Sequence, residues 1–320
     1  MPTSGLNLRA FRRLRSVDAE SDDLRIQQTD LSVGGRLYDF GVEVSGGLRA
    51  GLVLAEVCLA GLGEVSLLPG SIDGIDWPQV FVSTDHPVSA CLLSQYAGWQ
   101  INVGQFFAMG SGPMRAAAAR EEVFGRLNYR EPQPAHVVGV LEAAKLPDDD
   151  VFALIAEKTG VPVENVALLV APTSSPAGNL QVAARSVETV LHKLFELQFD
   201  VTRIVSACGT VPLSPVAADD LTGIGRTNDA ILYGGCVTLW VRGDDQSLAE
   251  IGPRVPAAAS ECYGKPFLEI FEEAGRDFYA IDPLLFSPGQ VVFQNLETGR
   301  VHQFGTTAPD VLKSSFGLSG

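Results

Sequence analysis

VALLVAPTSSPAGNLQVAARSVETVLHKLFELQ, residues 166–198, sets a short apolar run against a long stretch of helical spacing, with a polar, Pro- and Gly-containing loop between them. VALLVA holds six apolar residues and no charge, the pattern of a strand. From Asn179 onward, apolar residues recur at intervals of three and four, the pattern of a helix. Working outward, RLYDFGVEV, PQVFVS, HVVGVL, RIVSA, CVTLWV and QVVFQN read as further strands. LRAGLVLAEVCLAG, PVSACLLSQYAG, PMRAAAAREEVF, DDDVFALIAEKTG and KPFLEIFEEAG read as further helices. Because the two kinds interleave, the expected class is α/β with mixed α+β layers rather than a pure bundle or sandwich. The loop APTSSPAGN is the expected meeting place of two halves. This gives an N-terminal α/β domain over 1–175 and a C-terminal α/β domain over 176–320, either of which is free to be discontinuous.

Composition narrows the function classes. The chain has 320 residues, 46% of them hydrophobic and 19% charged, a globular balance with enough apolar material for a sizeable core. No apolar stretch reaches the roughly 18 residues of a membrane span, and the basic start MPTSGLNLRAFRRLRSV lacks the apolar block of a secretory signal. That start reads as a surface helix and the chain as a cytoplasmic, non-membrane protein. A formal net charge of −15 opposes nucleic-acid and anionic-membrane partners, because a phosphate surface would be repelled over most of the molecule. Cys58, Cys91, Cys208, Cys236 and Cys262 are scattered and never in CxxC spacing, which argues against a zinc site and a disulfide framework. Glycine-rich loops match no nucleotide fingerprint: GSGPMR (110–115) has neither a Walker lysine nor GxGxxG spacing. No repeat or low-complexity tract is present.

Five segments carry side chains suited to chemistry. At about 100° per residue, Gln181, Arg185, Glu188 and His192 fall within about 60° of one another, on another face than an apolar stripe that includes Leu180, Val187 and Leu191. Spacing alone favours reading this face as a solvated one with an i,i+3 ion pair. Asp85 and His86 precede a helix expected to start near Pro87, where Asp85 suits an N-cap and the same helix end suits a ligand. Gly110, Ser111 and Gly112 lead into Pro113, a tight turn whose backbone N–H groups can also face an anion or a carbonyl. RTNDAILYGG (226–235) reads as a polar helix start at Thr227, Asn228 and Asp229 that runs to Tyr233 and closes at Gly234 and Gly235. ECYGKPF (261–267) places Lys265 after a Tyr-Gly turn.

Taken in order, STDHP, SQYAGW, GSGP-x-R, VAPT-x-S, AAR-x-VETxLHKL, TNDAILYGG, YGKPF-x-EIF and DFY-x-IDPLLFSP are collinear from about Asp39 to about Thr306. This series resembles the methenyltetrahydromethanopterin cyclohydrolase family. The resemblance implies a cytoplasmic, cofactor-free α/β enzyme with two domains side by side and a pocket between them, assembled as a homotrimer. It places the family's catalytic Arg and Glu on Arg185 and Glu188. It places substrate-binding positions at Asp85, His86, Ser111, Gly112, Thr173, Ser174, Gln181, Asn228, Asp229, Tyr233 and Lys265. Met114 and Cys262 depart from it, standing where a small residue and a polar or charged one are expected. The implied substrate is a small-molecule pterin, 5,10-methenyl-tetrahydromethanopterin, whose bridging carbon is an electrophilic amidinium. The implied product is the 5-formyl compound. Glu188 would take a proton from water and return one to the leaving nitrogen, with Arg185 tuning its basicity. No metal is required, since the carbon is already activated. The competing expectation is a non-catalytic paralogue that binds the reduced pterin. An anionic carrier approaching an acidic protein also calls for a basic rim, for which Lys265 and Arg115 are the expected groups.

Overall fold

The computed structural model describes residues 5–277 and 280–318; Phe278 and Tyr279 of the last motif and the first four residues of the basic start lie outside them. The chain forms two compact units, each built from two stretches: Met1–Gly63 with Ser89–Gln181, and Glu64–Val88 with Val182–Gly320. Each unit has its own six-stranded mixed sheet, with helices in both, which is the α/β class expected.

In the first unit the spatial order is Gln27–Asp30, Arg36–Asp39, Val166–Ala171, Val137–Glu142, Phe106–Ser111 and Trp99–Val103. Arg36–Asp39, Val166–Ala171 and Val137–Glu142 run parallel, and the outer pairings are antiparallel. VALLVA is apolar throughout because both of its faces are covered, so all six residues are buried. Ala167 and Leu169 join Val138 and Val140 under the helices Leu6–Val17 and Leu48–Cys58. Leu168 and Val170 join Val137 and Leu141 against Val151, Phe152 and Ile155 of the helix Asp149–Thr159. Burying each such Val, Leu or Phe contributes roughly 1.5–3 kcal/mol. Within the basic start, Leu6–Val17 is helical as expected, with Leu6, Ala10, Leu14 and Val17 packed inward.

The second sheet runs Val301–Gly305, Gln290–Asn295, Cys236–Val241, Ile204–Pro212, Gln79–Thr84 and Glu64–Leu68. Among the described residues its one parallel pairing is between Cys236–Val241 and Gln290–Asn295. Burial alternates residue by residue along Gln79–Thr84, Cys236–Val241 and Gln290–Asn295. That is the signature of a sheet whose two faces differ in their cover.

Several local readings change. The strand expected over RLYDFGVEV stops at Asp39, because the Asp39 carboxylate accepts the backbone N–H groups of Gly41, Val42 and Glu43 at 2.8, 2.7 and 2.8 Å and folds the chain into a loop. PMRAAAAREEVF is two short helices, Met114–Ala118 and Glu122–Arg126, separated at Ala119, whose φ is +46°. Val88–Gln95 is wound with i to i+5 bonding rather than as an α-helix. Thr227, Asn228 and Asp229 are not a helix start: the helix is Asp220–Gly234, opened by the Asp219 carboxylate accepting from the Thr222 N–H.

Candidate active site

The long helix expected after Asn179 is two helices, Pro176–Ala183 and Ser186–Glu196, with a turn at Ala184 and Arg185. Arg185 sits at the N-cap position of the second helix, with φ −90° and ψ 7°, and Glu188 lies in its first turn. Neither is on a solvated face. Arg185 is 5% exposed and Glu188 4%. A carboxylate in a first turn lies beside the open backbone N–H groups of the helix start, which favour negative charge there. Gly209, on the strand Ile204–Pro212, lets this helix start come close. A Cβ there would lie 2.6 Å from the Ser186 Oγ and 3.0 Å from the Val237 Cγ2. His192, one turn beyond Glu188, has its Nε2 3.7 Å from the Glu196 Oε1.

Asp85, His86, Asn228, Asp229, Tyr233 and Lys265 belong to the same, second unit. Asp85 and His86 are exposed just past Gln79–Thr84; the Ser206 hydroxyl donates to the Asp85 Oδ1 at 2.7 Å, and the His86 N–H donates to the Thr84 Oγ1 at 3.0 Å. The Asn228 side-chain amide donates to the Ile224 carbonyl one turn back at 2.8 Å. Asp229 is 1% exposed, and both its oxygens are engaged internally: Oδ1 accepts from the Phe267 N–H at 2.7 Å and Oδ2 from the Ser315 hydroxyl at 2.5 Å. Burial pushes its carboxyl up to about 6, against the pull of those two hydrogen bonds. The Tyr233 hydroxyl donates to the Lys265 carbonyl and accepts from the Gly264 N–H at 3.1 Å; burial pushes its phenol up to about 12. Asp229 and Tyr233 therefore hold the loop that carries Lys265. The Lys265 ammonium is exposed and lies 2.7 Å from both oxygens of Glu273, which raise its proton affinity.

Ser111, Gly112, Thr173, Ser174 and Gln181 belong to the first unit. The Ser111 hydroxyl donates to the Val140 carbonyl at 3.3 Å and lies 3.3 Å from the Cys58 Sγ. Gly112 has φ +85°, a value side chains resist, and its N–H donates to the Ser94 carbonyl at 2.8 Å, so that N–H is occupied within the protein. Thr173 and Ser174 follow the carboxyl end of Val166–Ala171, in the turn that launches the helix Pro176–Ala183. The carboxyl ends of parallel strands are where α/β sheets leave room for ligands. The turn is tight: the Ser175 hydroxyl donates to the Pro172 carbonyl at 2.8 Å and accepts from the Gly178 N–H at 3.0 Å. Gln181 is 1% exposed; its side-chain nitrogen lies 3.8 Å from the Cys58 Sγ, and its Oε1 has no hydrogen-bond partner among the described residues.

One expectation needs correction. Arg115 is not a rim cation. It is 0% exposed, with Nη1 donating to the Leu92 and Ser94 carbonyls at 3.1 Å each, the guanidinium paired with Glu121, and its Cζ 4.9 Å from the Tyr96 ring centroid. Met114, which stands where the family resemblance leads one to expect a small residue, is a core plug. It is fully buried against Gly110 and Gly139, where a Cβ would come within 2.7 Å of its Cε and 2.3 Å of its Sδ. Sequence reading also passed over Asp39 and Cys58. An Asp two residues before a Gly at a strand end is the available signal for the first; Cys58 gives no comparable signal. Among the described residues no disulfide joins the five cysteines and no group of three or more His, Cys, Asp or Glu is placed to hold a metal ion. No helix of the described residues is long and apolar enough to cross a membrane.

Comparison with known proteins bears on this arrangement. A family model described as cyclohydrolase (MCH) matches residues 5–316. A methenyltetrahydromethanopterin cyclohydrolase of Rhodopirellula baltica is 46% identical over 289 residues, covering 89% of this chain and 87% of that protein. Proteins of the same name from Methylobacillus flagellatus and Methanobrevibacter smithii are 42% and 39% identical, covering 92% and 98% of this chain and 90% and 98% of their own lengths. With similarity over nearly its whole length, the chain belongs to the methenyltetrahydromethanopterin cyclohydrolase family.

Proposed function

We propose that the protein is a hydrolase that interconverts 5,10-methenyl-tetrahydromethanopterin and 5-formyl-tetrahydromethanopterin, with Glu188 as the proton-transfer group and Arg185 tuning it. The observation that carries this reading is a carboxylate and a guanidinium three residues apart at one helix start, both buried, in a chain of this family. A surface ion pair would leave them in water.

In the forward step Glu188 accepts a proton from water while the oxygen bonds to the amidinium carbon, and the displaced π electrons settle on a ring nitrogen. The resulting carbinolamine collapses. One C–N bond breaks, its electron pair stays on nitrogen, and Glu188 returns the proton there. The hydroxyl proton leaves to solvent as the formyl C=O forms. The net change is methenyl cation plus water to formyl compound plus one proton. The chemistry runs on side chains, without a resident cofactor or metal. The substrate-binding set is that given above, with Lys265 as the exposed cation toward an anionic carrier. The reading extends to a cytoplasmic homotrimer.

The test follows loss of the methenyl chromophore. The parent should bleach it catalytically, and Glu188→Gln should lose about 100-fold or more in kcat while still binding substrate. A folded Glu188→Gln variant at the parental rate removes Glu188 from the chemistry. A parent that binds the pterin without turning it over identifies the non-catalytic paralogue instead.

A further inference from the structure

Lys193 lies five positions beyond Glu188 on the helix Ser186–Glu196 and is 0% exposed. A buried ammonium persists when other groups compensate for the lost water. Here they come from the turn Pro283–Leu285 and its cap. The Lys193 Nζ donates to the Leu284 carbonyl, the Asp282 carboxylate supports its charge, and Arg254 opposes it. Desolvation outweighs that support and pushes the ammonium down to about 8.

Asp282 passes the connection on. Its Oδ1 accepts from the Leu284 N–H at 3.0 Å, and its Oδ2 accepts from the Ser260 hydroxyl at 2.6 Å. The Ser260 Oγ accepts in turn from the Cys262 N–H at 3.3 Å. Two residues on, Gly264 donates to Tyr233, whose hydroxyl donates to the Lys265 carbonyl. A run of polar contacts thus leads from the helix that bears Glu188 to the loop that bears Lys265, entirely within the second unit.

We propose that Lys193 is a positioning residue: through Asp282 and Ser260 it fastens the loop 260–265 to the helix that carries Glu188, and so sets substrate affinity without touching substrate. This rests on the role given to that loop under the proposed function.

Lys193→Met removes the fastening at its origin. Ser260→Ala cuts it further along and leaves the buried lysine in place, so it decides the matter if the first variant does not fold. Both are compared with the parent by steady-state kinetics on the methenyl compound and by hydrogen exchange at the amides of Cys262 and Gly264. The expected result is a KM raised about tenfold, kcat within about threefold of the parent, and exchange about tenfold faster at both amides. Lys193→Arg, which keeps the charge and the donors, should recover part of the KM. The proposal is overturned if either folded variant keeps the parental KM, if KM rises with no change in exchange, or if kcat falls with KM unchanged. Exchange needs no substrate. A parent inert toward the methenyl compound would therefore sink the reaction assignment, while parental exchange in either folded variant would separately sink the fastening.

Discussion

Replacing Asp229 by Asn should make the protein more stable at neutral pH and leave it nearly unchanged in acid. The Asp229 carboxyl is buried, and its folded-state value of about 6 stands above the ordinary 3.8. The folded state therefore favours the protonated form. The stability this group supports is complete below pH 3.8 and is lost as pH rises through about 6. The gap between the two values corresponds to about 3 kcal/mol, a ceiling for what the ionised carboxylate costs the fold at pH 7. Asn mimics the uncharged acid. Its oxygen can accept the Phe267 N–H, and its amide can donate to the Ser315 hydroxyl, so both internal bonds have a replacement. Urea midpoints followed by tryptophan fluorescence at pH 4.5 and 7.5 read the effect. The expected gain is about 1–3 kcal/mol at pH 7.5 and about a third of that at pH 4.5, where the unfolded carboxyl is already mostly ionised. A variant less stable than the parent at pH 7.5, or one with equal differences at both pH values, would refute the reasoning.

Two further substitutions probe the frame around the site. Arg115→Met should destabilise the first unit by about 3 kcal/mol, because it strands the Glu121 carboxylate and the Leu92 and Ser94 carbonyls; an unchanged urea midpoint would show that this buried tie contributes nothing. Gly209→Ala should cost about 1–3 kcal/mol and about tenfold in kcat by pushing the start of the helix Ser186–Glu196 off its strand; parental kcat and stability would show that the close approach is not needed.

What could be read in the sequence depended on how directly a residue's neighbours are written in its own segment. VALLVA was legible because a strand covered on both faces has to be apolar at every position. CVTLWV and QVVFQN were legible from their content of β-branched and aromatic residues. The break at Ala184 and Arg185 was not, since no Gly or Pro marks it and the three-and-four spacing runs straight through. The polar face of Arg185 and Glu188 was found, but periodicity gives a direction and not a depth. Its burial depends on chain far away in sequence. Arg115 illustrates the same limit from the other side: it looked suited to a basic rim, and it is consumed by partners that no local pattern announces.

The second sheet takes two of its strands, Glu64–Leu68 and Gln79–Thr84, from the early part of the chain, and Gln79–Thr84 pairs on its other side with Ile204–Pro212. On a ribosome these pieces emerge far apart in time. From Thr84 to Ile204 is 120 positions, which at roughly 5–20 residues per second is a delay of about 6–24 s. During that interval Val80 and Val82 have no inner sheet to join, while the whole remainder of the first unit is made between them and their partner. Nascent chains with such a gap depend on holding an unpaired apolar edge in check until the late strand arrives. The arrangement that lends an early hairpin to a late sheet therefore makes this protein's yield in a cell sensitive to elongation speed and chaperone supply, quite apart from how stable the finished molecule is.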